Sequence, residues 1–96
     1  MKRRVAFSPE SLDAIAETLE WLSERSAPDA LDLRRELERS LELVAEGTLS
    51  GPVRTLSDGR EARRLVVRTL LVYYVATDDE LHVLHVRDGR RSPIER

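Results

Sequence analysis

The run Leu70-Leu71-Val72-Tyr73-Tyr74-Val75-Ala76 constrains this chain more than any other stretch. Successive side chains of a strand point to opposite faces, so a strand that is apolar at odd and even positions alike belongs at the centre of a sheet. The run is far short of the roughly 20 residues that cross a bilayer, so it is not a membrane span. Short polar links bound it, Arg68-Thr69 before and Thr77-Asp78-Asp79 after. Such links join antiparallel neighbours, which predicts strands over 61–68, 70–77 and 80–87 in a three-stranded antiparallel meander.

The first half reads as a strand and two helices. Residues 3–7 form a short apolar strand, and Ser8-Pro9-Glu10 then supplies an N-cap serine, a proline at the first helical position and an acidic first turn. Leu12, Ile15, Ala16, Leu19 and Leu22 follow at spacings of three and four, an apolar stripe that runs to about Glu24. Trp21 lies half a turn off that stripe and either widens it or is partly exposed. Ser26-Ala27-Pro28-Asp29 stops the first helix and starts a second, whose seam is Leu33, Leu37, Leu41 and Val44 and whose end is Gly47. The intervening link is short, so the helices form an antiparallel hairpin. Residues 48–59, with Gly51-Pro52 and Asp58-Gly59, read as a loop. The expected architecture is an α+β two-layer domain of order β-α-α-β-β-β, with the hairpin over one face of the sheet.

Ninety-six residues are one domain's worth, so residues 1–96 are expected to share one core. At 41% hydrophobic and 35% charged the chain is globular rather than disordered. It has no cysteine, hence no disulfide framework or thiolate metal site, and its basic start is followed by no long apolar region; a cytoplasmic protein is expected. The formal net charge of -2 conceals an asymmetry: residues 1–47 carry 11 acidic and 7 basic groups, residues 48–96 carry 7 acidic and 9 basic. A sequence pI near 5.7 is too low for a general nucleic-acid binder.

The chemistry-bearing residues of that second half are arginines. Arg60, Arg64 and Arg68 recur every fourth residue, which in an extended chain sets them on one face, and Arg87, Arg90 and Arg91 follow from the last strand and tail. Guanidinium forks bind carboxylates and phosphates bidentately, so this is a candidate binding face. The same spacing suits arginines that pair with Asp and Glu of their own chain. His82 and His85 are three apart, which in a regular strand points them to opposite faces and denies them a common site or metal. There is no glycine-rich phosphate loop, no metal-ligand spacing and no nucleophile with a positioned base. No catalytic residue, metal or cofactor is expected.

The chain resembles the RelE/ParE toxins of bacterial type II toxin–antitoxin systems over nearly its whole length. The resemblance is carried by Val5-Ala6-Phe7-Ser8, Ile15, Trp21-Leu22, Pro28-Asp29-Ala30, Gly51-Pro52, Arg64-Leu65, Tyr74, Leu84-His85-Val86 and Gly89-Arg90-Arg91, in that order. It implies a helical hairpin on an antiparallel sheet, a cognate antitoxin whose acidic, amphipathic C-terminal segment wraps the toxin, and contact residues among Arg60, Arg64, Arg68, Tyr74, Arg87, Arg90 and Arg91. RelE-like members cut messenger RNA on the ribosome, whereas ParE-like members inhibit DNA gyrase without being enzymes. Leu70-Leu71 stands where ribosome-dependent members commonly have Tyr-Arg, and Asp88 where a histidine often precedes Gly-Arg-Arg. An RNA-cutting site needs a charge to hold the phosphate and a group to move the proton. The resemblance therefore implies a ParE-like gyrase inhibitor, with an altered RelE-like endoribonuclease or a degenerate antitoxin-binding member as alternatives.

Overall fold

A computed structural model describes residues 2–90 together with Ile94 and Glu95. The elements are β1 (Arg4–Phe7), α1 (Pro9–Arg25), α2 (Ala27–Glu46), β2 (Val53–Thr55), β3 (Glu61–Val67), β4 (Leu70–Ala76) and β5 (Glu80–Asp88). The α+β order is as expected, and β3, β4 and β5 form the antiparallel meander. The sheet itself departs from the expectation, being five-stranded and mixed, in the order β1-β5-β4-β3-β2. β1 lies parallel to β5, a pairing that needs a long crossover, which the helical hairpin begins. β2 arises inside the expected loop as a three-residue edge strand on β3, too short to show a period. β4 is central, as its apolar faces require.

Local chemistry sets the helix ends. The Ser8 hydroxyl accepts the Ser11 N–H at 3.0 Å and donates to the Leu84 carbonyl at 2.7 Å, so one side chain caps α1 and ties it to β5. Ser26 ends α1 by donating its N–H to the Leu22 carbonyl at 2.7 Å and starts α2 by accepting the Asp29 N–H at 3.3 Å. Gly47, at φ 83°, closes α2 in the left-handed conformation.

The main core lies between the hairpin and one face of the sheet. Leu33, Leu37, Leu41 and Val44 are all buried there, with Ala45, against Leu65, Val67, Leu70, Val72, Tyr74, Leu81 and Val83. α1 is rotated from its expected setting: Leu12 is 51% exposed and Ala16 is exposed, while Ser11 is fully buried. The Ser11 hydroxyl donates to the Ser8 carbonyl at 2.9 Å and lies 3.3 Å from the Val83 carbonyl, which removes the usual cost of burying a polar group. Ala14, Ile15, Leu19 and Leu22 complete the contact. Trp21 is half exposed, with the Arg25 guanidinium 3.8 Å from its ring centroid. Among the described residues no helix is long and apolar enough to cross a membrane.

Gly51 locks the segment that leads into β2. Its N–H donates to the Tyr74 hydroxyl at 2.8 Å, and its carbonyl accepts from the Arg63 guanidinium at 2.7 Å. The Pro52 carbonyl accepts the Arg64 N–H at 2.9 Å.

Candidate binding face

Both helices pack on the face of Leu65, Val72 and Val83, so the candidate site lies on the other face. The register builds it from rows across three strands. Arg64 pairs with Tyr73 and Tyr73 with His85; Val66 pairs with Leu71 and Leu71 with Arg87. Below these rows a second, smaller cluster buries Leu56, Ala62 and Tyr73, with Leu71, Val75, Leu84 and Ile94 against it. The chain at 56–60 and the tail close over it: the Ser57 N–H donates to the Ile94 carbonyl at 2.6 Å, and Leu56 and Glu95 form an antiparallel bridge.

The expected arginine stripe is not a stripe. β3 ends at Val67, and Arg68 occupies the two-residue turn at φ 55°, so strand alternation stops before it. Its Nε donates to Glu36 of α2 at 2.8 Å, on the helical layer. Arg60 precedes the strand and pairs with Asp58 at 2.8 Å. Arg90 pairs with Asp88 at 2.8 Å in the turn after β5, with its guanidinium largely exposed. Arg64 reaches the open face from inside the strand, where its Nη1 donates to Glu95 at 2.8 Å. Pairing within the chain, the alternative left open by the spacing, therefore describes Arg60, Arg64, Arg68 and Arg90. Arg87 lines a cleft on the open face with Glu10, Asp58, Arg60, His85 and Ile94. Tyr74 is 1% exposed, with its hydroxyl on Gly51, so it is a core residue. Arg91 lies outside the described residues.

The histidines also differ from expectation. The β4–β5 register shifts between Tyr73 and Tyr74, leaving Leu84 as the extra residue of a bulge. His82 then lies opposite Val75 and His85 opposite Tyr73, so both share the open face. They contact different carboxylates, His82 with Glu80 at 3.7 Å and His85 with Glu10 at 3.3 Å. Among the described residues no cluster of His, Asp and Glu is able to hold a metal ion.

Three residues that sequence reasoning missed organise this face. Glu95 accepts the Tyr73 O–H at 2.5 Å and the Arg64 N–H at 2.8 Å, and lies 3.6 Å from the Arg54 Nε. The Tyr73 hydrogen bond, then Arg64, hold the Glu95 carboxyl below its ordinary value, while burial, reinforced by Glu95, pushes the Tyr73 phenol up to about 12. An acid whose pKa rises on folding contributes stability that is present below its unfolded value, near 10, and is lost as pH climbs through about 12. Ultraviolet titration of the folded protein is expected to show a tyrosinate step delayed to about pH 12, absent in Tyr73→Phe. A Tyr73→Phe variant with the same curve refutes the assignment.

Two helices on one face of a small mixed sheet, with guanidinium and carboxylate groups gathered on the other, define the class of small α+β proteins to which the RelE/ParE resemblance points. Residues 5–93 match the family model described as ParE toxin of type II toxin-antitoxin system, parDE, and the chain belongs to that family. No curated protein gives a significant match.

Proposed function

We propose that this type II toxin acts by binding and not by catalysis: a cognate antitoxin holds it inactive, and free toxin inhibits DNA gyrase in the cytoplasm, the whole chain working as one module. The observation that carries this reading is the charge balance of the cleft beside His85, where Arg60 and Arg87 are matched by Glu10 and Asp58. A nuclease needs uncompensated positive charge where the phosphate sits, because losing even one positioned stabiliser costs on the order of 10² to 10³ in rate. Leu71, between Val66 and Arg87, adds an apolar side chain where a ribonuclease would gain from another cation. A surface of arginines and carboxylates over an apolar cluster suits recognition of a protein with complementary charge.

The test sets the two activities of the wider family side by side. Purified toxin is expected to block gyrase supercoiling, to leave ribosome-bound message intact, and to lose its effect when the antitoxin is added. Position-specific cuts in a translated message, abolished by His85→Ala or Arg87→Ala in folded protein, would overturn the non-catalytic reading.

A further inference from the structure

The surroundings of Glu95 are those of a binding site with a poor occupant. Among the described residues one carboxylate faces two guanidiniums, Arg54 and Arg64, which leaves one positive charge over between them. The Arg54 contact, at 3.6 Å, is too long for a hydrogen bond. The Nε atoms of Arg54 and Arg64 are both buried, and among the described residues neither has a hydrogen-bond partner. Buried donors without acceptors are costly, and charged ones more so. The occupant's chemistry is equally specific: an apolar residue, Ile94, seated on the Leu56–Ala62–Tyr73 cluster, then an acidic residue, in a segment bridged antiparallel to Leu56.

We propose that Arg54, Arg64 and Tyr73 form a carboxylate-binding site for an extended acidic segment of the antitoxin, and that Ile94 and Glu95 are its resident occupant, displaced when that segment arrives. This rests on the antitoxin reading above. A segment that brings two carboxylates after an apolar residue neutralises both guanidiniums and fills the two donors that Glu95 leaves empty. The tail has the advantage of being attached, which raises its effective concentration, but Glu95 is a single carboxylate set against two guanidiniums. The partner's apparent affinity is then lowered by the fraction of molecules whose site the tail holds. Weakening the tail strengthens the partner.

The experiment uses the full chain, wild type and Glu95→Ala, with folding checked by circular dichroism. The first probe is a labelled peptide of the chain's own last eight residues, Gly-Arg-Arg-Ser-Pro-Ile-Glu-Arg. Glu95→Ala is expected to bind it at least about tenfold more tightly than wild type, as for a site nine-tenths occupied by its own tail, and Arg64→Ala added to Glu95→Ala should cancel the gain. The second probe is the antitoxin, which should also bind Glu95→Ala more tightly and should release the peptide. If Glu95 only supports the fold, the variant binds the antitoxin equally or less tightly, and that result overturns the proposal. So does an antitoxin that binds without releasing the peptide, or a peptide that binds neither protein. An antitoxin that binds no variant refutes the antitoxin reading instead, while the peptide comparison still decides the carboxylate site. Should Glu95→Ala fail to fold, Glu95→Gln keeps the volume, loses the charge and carries the same comparison with the same sign.

Discussion

Gly51→Ala is expected to lower the melting temperature by roughly 10 to 25 °C, the shift for about 3 kcal/mol in a domain of this size. A Cβ at residue 51 would lie 2.0 Å from the Arg64 carbonyl oxygen and 2.8 Å from its carbon. Both are main-chain atoms in the middle of β3, so no rotamer relieves the clash, and either the 51–52 segment or the strand must move. Movement breaks the Gly51 N–H bond to Tyr74 and the Arg63 bond to the Gly51 carbonyl, leaving a buried hydroxyl and a guanidinium without their partners. It also shifts β2, which starts two residues later and carries Arg54. Thermal and urea unfolding check the expectation. A variant within about 0.5 kcal/mol of wild type, the range usual for harmless surface changes, would mean that the close approach is not maintained in solution.

Legibility in the sequence tracked how local the determining physics was. The apolar run of β4 had one plausible home, and it is the central strand. The capping residues Ser8, Ser26 and Gly47 act within a few residues of themselves, so both helix starts and the end of α2 were readable. The rotation of α1 is not legible locally because Ser11, a polar residue, is buried through hydrogen bonds that include the distant Val83 carbonyl. The parallel placement of β1 and the short β2 depend on pairing between segments far apart in the chain, which periodicity does not encode.

The same division runs through the candidate site. Arg64 lies inside a strand, so alternation places it on one face, whereas the period that groups Arg60 and Arg68 with it is interrupted by the strand's ends. The bulge at Leu84 reversed the reading of His82 and His85, since one inserted residue moves every later side chain to the other face. The tyrosine pair held a usable signal: alternation puts one of Tyr73 and Tyr74 on each face, so one had to accompany Arg64. The resemblance implies Tyr74, and the register puts Tyr73 on the face of Arg64. Glu95 had no local signal, because its partners Arg54, Arg64 and Tyr73 are more than 20 residues away; the Tyr73 separation alone is 22.

Arg64→Glu is expected to weaken antitoxin binding on the order of 10²-fold, while Arg68→Glu changes it by less than about threefold. Truncating or reversing one member of a desolvated, hydrogen-bonded charge pair costs about 2 to 5 kcal/mol, and each 1.4 kcal/mol is tenfold in affinity. The Arg64 side chain is 24% exposed, on the open face beside Tyr73, so it meets that condition. A glutamate there would also confront Glu95 and replace a donor with an acceptor. Arg68 fails the condition: its side chain is 41% exposed, its partner Glu36 53%, and the pair sits on the helical layer. Exposed pairs of this kind contribute about 0 to 1 kcal/mol. Calorimetry at one fixed ionic strength separates the two, because salt screens exposed charges more than buried ones. The reverse order, a large loss at Arg68 and little at Arg64 in folded proteins, would move the antitoxin to the α2 side of the molecule and leave the open face for the toxin's target.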